Sequence, residues 1–263
     1  MRPSLNNSYS IVIPAYNESK RLGATLDRVV AYVLREKLGA EIVVVNDGST
    51  DNTAEIVRSY SRETEAVRLV ENPGNRGKGY SVRHGVLEAR GSIILFTDAD
   101  LPSPIEEMSK LVGAIKRGAD IAIGSRWLRT ELQTQRQSVA RQVMGRAFNY
   151  LLRILLQLDF KDTQCGFKAF RRGAARAIFP LQKIEGWGFD PELLFLARRG
   201  GFKVTEVPVV WGHDEGTRIH PLADGSQMVL EMLRIRWNAI SGDYGDGAAL
   251  RANVFAGNQR PRT

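Results

Sequence analysis

Short, continuously apolar segments recur through the first half of the chain, and stretches with helical spacing separate them. The apolar segments are rich in β-branched residues, and they cover residues 11–13, 41–45, 67–70, 93–96 and 121–123. Apolar residues three and four apart indicate helices over residues 22–34, 56–60, 78–89 and 105–117. Strands that are apolar throughout are buried on both faces. The alternation therefore predicts an α/β fold, with an open, mostly parallel sheet covered by helices on both sides.

The second half of the chain follows a different pattern. It predicts a long helix over 139–158, a strand over 203–211 and a helix over 227–240. The long helix has apolar residues on one side and Arg141, Arg146 and Arg153 on the other. Such a helix either packs on the core with a solvated face or lies as a basic amphipathic helix against lipid headgroups.

The chain of 263 residues is long enough for one large domain. We expect this domain over residues 9–242, flanked by tails at 1–8 and 243–263. The C-terminal tail is rich in Gly, Asn and Arg without periodicity, and we expect it to be disordered. No signal peptide is visible, and no segment approaches ~18 consecutive apolar residues, so no transmembrane span is expected. These features predict a protein that faces the cytosol.

The charge balance points to phosphate-rich partners. With 37 basic and 29 acidic residues the net charge is +8, which favours nucleotides, nucleic acid or an anionic membrane surface. A nucleic-acid-binding module is disfavoured, because the basic segments lack interleaved aromatic residues and no helix-turn-helix or zinc signature occurs. The single cysteine, Cys165, excludes an internal disulfide and a Cys-based zinc site, and we expect it to be a buried packing residue.

Polar clusters follow three of the predicted strands, at residues 14–18, 46–49 and 98–100. Open α/β sheets bind ligands beyond the carboxyl ends of their strands, so these clusters are candidates for a shared site. Asp98 and Asp100 lie two residues apart and present the oxygen ligands that Mg²⁺ or Mn²⁺ prefers, so an ion there would neutralise a diphosphate. P-loop and dinucleotide-binding glycine fingerprints do not follow the first strand, so those two classes fit poorly.

Three segments occur in a fixed order along the chain: Pro14-Ala15-Tyr16-Asn17-Glu18, Val45-Asn46-Asp47-Gly48-Ser49-Thr50-Asp51 and Thr97-Asp98-Ala99-Asp100. In order and spacing they resemble the N-terminal signatures of the family 2 glycosyltransferases, which have the GT-A fold. The resemblance covers about residues 9 to 240. Further segments resemble the polyprenyl-phosphate branch, first the dolichyl-phosphate β-glucosyltransferases and next the mannose synthases. These segments are Asn75 to Tyr80, Gly124 to Arg126, Asp162 to Lys168, Trp187 to Glu192 and Glu206 to Val209.

The resemblance implies a role for individual residues. It implies a nucleotide-sugar-binding half over 9–126 and an acceptor half over 127–242. The donor set is Pro14, Tyr16, Glu18, Asp47, Gly48, Lys78 and Asp98. Asp98 and Asp100 would bind the metal, and together with Arg126 they form the implied catalytic set. The acceptor phosphate would be held by Arg126, by Arg136 or Arg141, and by Arg218 in a loop from Trp211 that could fold over the acceptor.

Two departures from the family pattern qualify this assignment. Thr217 and Arg218 replace the usual Ser and Lys of the loop, and Pro102 replaces a Gln that serves as a metal ligand in mannose synthases. Pro102 therefore favours the glucosyl branch.

Four further residues have open interpretations. His84 is expected to be structural or exposed, and His213 lies in the loop over the acceptor, where it could touch ligand. Asp190 and Glu192 could orient the acceptor or basic loop residues, or could cap the helix that begins there.

The resemblance implies an inverting transfer of a hexose from a nucleotide sugar, with UDP-glucose favoured, to a polyprenyl phosphate. GDP-mannose as donor, and a soluble or polysaccharide acceptor, are the alternatives. A phosphate oxygen is already anionic and needs no general base, whereas an alcohol acceptor would require one, for which Asp190 is a candidate. The expected location is the cytoplasmic face of a membrane, bound peripherally or through a separate membrane protein.

Overall fold

The computed structural model describes residues 8–132, 150–212 and 221–245, with side chains of the last segment described from Gln227 onward. The strands are β1 (Tyr9–Ala15), β2 (Ala40–Asn46), β3 (Val67–Glu71), β4 (Ile93–Thr97), β5 (Ile121–Ser125), β6 (Phe167–Arg171) and β7 (Val204–Pro208). The α-helices are α1 (Leu22–Arg35), α2 (Thr53–Glu63), α3 (Lys78–Glu88), α4 (Met108–Lys116), α5 (described over 150–156), α6 (Arg172–Ile178), α7 (Phe189–Arg199) and α8 (Pro221–Ile240). Short 3₁₀ turns cover Ile105–Glu107, Thr130–Leu132 and Phe179–Leu181.

The strands form one seven-stranded sheet in the order β3-β2-β1-β4-β6-β5-β7. Every adjacent pair is parallel except those of β6, which runs antiparallel to both β4 and β5. The predicted α/β fold with a mostly parallel sheet is confirmed. Because β6 and β7 come from the second half of the chain, both halves contribute to a single sheet.

Apolar side chains alternate between the two faces of the sheet and form two cores. Ile11 and Ile42 face one core, which α1, α2 and α4 cover, whereas Val12 and Val43 face the other, which α3, α6, α7 and α8 cover. Burial on both faces explains why most residues of β1, β2 and β4 are apolar.

Several boundaries differ from those predicted. The strand expected over 203–211 is shorter, as β7, and the helix expected over 227–240 begins earlier, as α8. The helix expected over 139–158 is described only from residue 150, and its helical part ends at 156 because Gln157 has a φ of 55°. Residues 243–245, which the sequence assigned to the C-terminal tail, are described, and Tyr244 is buried against α7. Arg141 and Arg146 lie outside the described residues.

Candidate active site

The loops after β1, β2 and β4 lie at one edge of the sheet, and the first two are hydrogen-bonded to each other. The amide of Thr50 donates to Oδ1 of Asn17 at 2.8 Å, and the amide of Glu18 donates to Oγ1 of Thr53 at 2.8 Å. Gly48 has a φ of 69°, and a Cβ there would lie 2.5 Å from the backbone of Gly74. The turn after β2 therefore requires glycine, both for its conformation and for its contact with the loop before α3.

Asp47, which the resemblance assigned to the nucleotide, is buried and fully bonded within the protein. One oxygen accepts from Nδ2 of Asn72 at 2.7 Å and the amide of Arg76 at 2.9 Å, and the other accepts from the amide of Gly77 at 2.8 Å. Each carboxylate oxygen thus accepts hydrogen bonds within the protein, and Asp47 holds the loop that leads into α3. Its contact with the donor stays a prediction.

The side chains of the cluster at residues 14–18 differ in their exposure to solvent. Pro14 is buried within β1, and its contact with the nucleotide stays a prediction. Glu18 is bound by Arg21, with Nη2 of the arginine 3.0 Å from Oε1. Of Pro14, Tyr16 and Glu18, only Tyr16 is exposed to solvent, at 36%.

Asp98 and Lys78 form an ion pair at the centre of the edge. Nζ of Lys78, the first residue of α3, lies 2.6 Å from Oδ1 of Asp98 and 5.2 Å from the ring centre of Trp187. Burial lowers the pKa of Lys78, but the attraction of Asp98 and Asp190 outweighs it, so the pKa is raised overall. The backbone of Gly166 packs directly on the Asp98 carboxylate, where any side chain on residue 166 would overlap it.

Asp100 is the more accessible member of the Asp98–Asp100 pair. Its nearest described cation is Arg21, whose Nη1 lies 3.7 Å from Oδ2. Burial and then repulsion from Asp98 raise the pKa of Asp100 above its ordinary value. A divalent cation would relieve that repulsion, and the two carboxylates are ligands of the right chemistry. The described residues contain no group of three ligating side chains, so such an ion would take its remaining ligands from diphosphate and water.

Arg126 follows β5 directly and is held by a buried carboxylate. Its Nε lies 2.7 Å and its Nη2 2.8 Å from the two oxygens of Asp162, and its guanidinium lies 5.5 Å from the ring centre of Trp211. Burial disfavours the charged form of Arg126, but the attraction of Asp162 outweighs burial and raises the pKa of Arg126. The same ion pair lowers the pKa of Asp162, although burial of that carboxylate acts in the opposite direction. The guanidinium therefore keeps its positive charge, and the carboxylate of Asp162 holds it in place and balances that charge.

The other residues predicted to hold the acceptor phosphate, Arg136, Arg141 and Arg218, lie outside the described residues, as does His213. Asp190 is buried in the first turn of α7. Its Oδ1 lies 2.5 Å from Nζ of Lys168, which is fully buried in β6 and also donates to the carbonyl of Cys165 at 2.6 Å. Burial raises the pKa of Asp190, against the opposing attraction of Lys168 and Lys78.

Glu192 has a structural role. Its oxygens accept from the amides of Lys183 and Ile184, each at 2.9 Å, and from the hydroxyl of Tyr244 at 2.6 Å. The loop that it holds reaches α3, where the amide of Gly79 donates to the carbonyl of Glu185 at 2.8 Å. These contacts explain why Glu192 is buried, and they do not depend on any of the three roles that the sequence left open for it.

Two minor expectations are confirmed. Cys165 is buried, and burial raises the pKa of its thiol to about 12, so it is a packing group rather than a nucleophile. His84 is structural, with Nδ1 2.7 Å from Oδ1 of Asn72.

Sequence reasoning missed the partners of the predicted residues: Arg21, Lys168 and Trp187. Lys168 carried a signal, because it lies between Phe167 and Ala169 in a stretch that would otherwise be apolar. Trp187 lies in a segment that resembles the family, but nothing in the sequence indicated its contact with Lys78, and Arg21 carried no signal for its contact with Asp100.

Comparison with known proteins identifies the family. The model named Glycosyl transferase family 2 matches residues 10–179, which is well over half of the chain. The chain is a family 2 glycosyltransferase. The candidate site lies within the matched segment, at the edge of the sheet where β1, β2 and β4 end.

Curated relatives of this glycosyltransferase are named dolichyl-phosphate β-glucosyltransferases. One from Trichomonas vaginalis is 40% identical over 236 residues, covering 86% of this chain and 70% of the relative. One from Saccharomyces cerevisiae is 38% identical over 257 residues, covering 90% and 76%, and the human protein is 32% identical over 248 residues, covering 89% and 76%.

Among solved structures, glucosyl-3-phosphoglycerate synthase from Mycobacterium tuberculosis has the same fold. Its complex with UDP superposes with a TM-score of 0.63 at 21% identity, covering 87% of this chain and 80% of that one. Its complex with Mn²⁺ and UDP-glucose gives a TM-score of 0.63 at 20% identity, covering 86% and 78%. The GT-A fold expected from the sequence is thereby confirmed.

Proposed function

We propose that this glycosyltransferase transfers glucose from UDP-glucose to a polyprenyl phosphate of the dolichyl phosphate class, with inversion at C1. The names of its curated relatives support both the donor sugar and the acceptor. The observation in the site that carries the proposal is the pairing of its carboxylates. Asp98 lies against Lys78, Asp162 against Arg126 and Asp190 against Lys168.

Paired carboxylates suit an acceptor that arrives as an anion. A general base must reach the proton of the nucleophile, whereas Asp190 is buried and its Oδ1 is bound to the buried ammonium of Lys168. A phosphate oxygen already carries the negative charge with which it attacks C1 of the sugar. The alternative of an alcohol or polysaccharide acceptor is disfavoured for the same reason.

The donor diphosphate needs charge neutralisation as it leaves. Asp98 and Asp100 would hold Mg²⁺ or Mn²⁺ there, and the ion would stabilise the charge that develops on the diphosphate. Lys78 adds a fixed positive charge beside Asp98, and Trp187 covers its ammonium. Arg126, Arg136, Arg141 and Arg218 remain the candidates for contact with the acceptor phosphate.

The acceptor's hydrocarbon chain stays in a bilayer, so we place the enzyme peripherally at the cytoplasmic face of a membrane, alone or with a separate membrane protein. In the part of the chain that the structure describes, no helix is long and apolar enough to cross a membrane.

The decisive experiment offers purified protein each radiolabelled sugar nucleotide in turn, with dolichyl phosphate in vesicles and Mn²⁺. We expect labelled glucosyl phospholipid from UDP-glucose, identified by chromatography and mass spectrometry, and little product from GDP-mannose. A mannosyl lipid would assign the protein to the other donor, and a labelled soluble product without lipid would overturn the acceptor class. Asp100→Asn serves as the inactive control.

A further inference from the structure

The outward face of α8 carries a continuous apolar stripe. Leu230, Leu233, Trp237 and Ile240 are 66%, 50%, 70% and 80% exposed, respectively. Their spacing of three, four and three residues places them on one side of the helix. The opposite side is packed into the core through Met232 and Ile235. Four large apolar side chains exposed in one row are unusual for a surface that faces only water.

Basic residues flank this stripe, and they indicate what covers it. Arg234 is exposed along one edge of the stripe and Arg236 is partly exposed along the other. An apolar row containing Trp between two arginines is typical of a helix that lies in the headgroup region of a bilayer. There the arginines reach anionic phosphates while the apolar side chains enter the acyl boundary. The net charge of +8 acts in the same direction.

The inward side of α8 contacts both loops that frame the active site. Oε2 of Glu231 accepts from the amide of Gly188 at 2.7 Å, next to the Trp187 that covers Lys78. The sulfur of Met228 lies 3.7 Å from Nε2 of Gln164, two residues before the Gly166 that packs on Asp98. One helix thus connects the site on its inner side with the apolar stripe on its outer side.

We infer that α8 is a membrane-docking helix, which lays the stripe of Leu230, Leu233, Trp237 and Ile240 into an anionic lipid surface beside the active site. The inference rests on the proposed function in one respect, because a lipid-linked acceptor is the reason for the site to lie at the headgroup plane. The sequence pointed to the helix at 139–158, whose described part also exposes Tyr150, Leu151 and Ile154, and α8 adds a second apolar surface that the sequence did not indicate.

The test measures binding of the full chain to vesicles of phosphatidylcholine with about a third phosphatidylserine, by sedimentation at low salt and at about 0.5 M salt. The variant of the stripe combines Leu230→Gln with Trp237→Gln. Its control is Leu34→Gln, because Leu34 on α1 is 69% exposed and lies away from the stripe. We expect Leu230→Gln combined with Trp237→Gln to weaken the salt-resistant binding by about ten- to a hundredfold. Leu34→Gln should bind as the wild type does.

Arg234→Gln combined with Arg236→Gln should weaken binding at low salt and leave the salt-resistant part nearly unchanged. Equal binding of wild type and the Leu230 and Trp237 double variant at high salt would overturn the inference. So would a dimer in ultracentrifugation that the same double variant dissociates, because the stripe would then contact a second copy of the chain.

Two further measurements separate this inference from the proposed function. UDP-glucose binding in solution with Mn²⁺, and transfer to a short, water-soluble polyprenyl phosphate, should be the same in the double variant and the wild type. Wild-type protein that binds vesicles through the stripe but transfers nothing to polyprenyl phosphate would retain the docking helix and refute the proposed function.

Discussion

At the scale of single residues, opposite charges in the site occur as close pairs. Lys168 and Asp162 are buried, and each needs its partner because an isolated buried charge is strongly unfavourable. Asp100 differs, since its nearest described cation is 3.7 Å away and its carboxylate remains partly exposed. The charge of Asp100 is therefore the one that the folded chain compensates least among these carboxylates.

This difference predicts that Asp100 is the essential carboxylate for the metal. Asp100→Asn keeps the size of the side chain but removes the charge, so we expect transfer to fall by about 10²-fold or more, the usual scale for a lost electrostatic contact to a leaving group. Mn²⁺ affinity, measured by calorimetry in the presence of UDP, should fall together with the rate. A folded Asp100→Asn protein with full activity, or wild-type activity that survives EDTA, would contradict the assignment.

Asp190 is expected to stabilise the fold rather than to accept a proton. Asp190→Asn leaves an acceptor for Lys168 but removes the opposite charge, so the free energy of unfolding should drop by about 1–3 kcal/mol. Turnover should stay within about tenfold of wild type, whereas loss of a general base costs 10²–10⁴-fold. Lys168→Met is the matched variant, and combining the two should destabilise less than the sum of the single changes. A loss of turnover on the larger scale, with stability unchanged, would instead identify Asp190 as a base.

At the scale of elements, the helix starts are held by neighbouring loops. At the start of α2, Asp51 lies one residue before the N-cap Asn52 and binds the first amide of the helix. Its Oδ1 accepts from the amide of Thr53 at 3.0 Å, and its Oδ2 accepts from the amide of Ser19 at 3.1 Å. Burial would raise the pKa of Asp51, but hydrogen bonds from Thr53 and Ser19 outweigh it and hold the pKa at about 2. The same carboxylate thus joins the loop after β1 to the start of α2.

A lowered pKa makes this contribution depend on pH. Between pH 2 and 4 the unfolded chain binds more protons at Asp51 than the folded chain, so stability from this group is complete above about pH 4 and is lost as the pH falls towards 2. Asp51→Asn should lower the free energy of unfolding by about 1 kcal/mol at neutral pH, and the gap should close near pH 2. Urea titrations at several pH values measure it. Asp159→Asn is the control, because that side chain is 97% exposed, and a similar pH-dependent gap there would refute the explanation.

The elements also show where sequence patterns reach their limit. Apolar strands such as β1 and β2 were predictable because both of their faces are buried. The central strand β6 was not, because Lys168 interrupts its pattern and becomes acceptable only through Asp190, which lies 22 residues further along the chain. Tyr244 was placed in a disordered tail for a similar reason, since its burial depends on Glu192 in α7. Motif spacing located Asp98 and Asp100, but tertiary packing determines which cations they contact.

At the scale of the whole molecule, the pairing of charges favours the proposed acceptor, which brings its own anionic oxygen. The described carboxylates at the site, apart from Asp100, are bonded to a basic side chain or to backbone amides. In the proposed reaction the acceptor supplies its own charged oxygen. The reaction should therefore follow the ionisation of the acceptor phosphate, whose second pKa is about 6.

This argument predicts the pH dependence of the reaction. With a short, water-soluble polyprenyl phosphate and saturating Mn²⁺, kcat/KM should be level from about pH 7 to 8 and should fall towards tenfold per pH unit below about 6. The fall follows protonation of the nucleophile, so Asp190→Asn should show the same profile as wild type. The polyprenyl alcohol of the same length should give no measurable transfer, and circular dichroism at pH 5 checks that the fold persists. A kcat/KM that is flat down to pH 5, or transfer to the alcohol at a comparable rate, would mean that the protein itself deprotonates its acceptor.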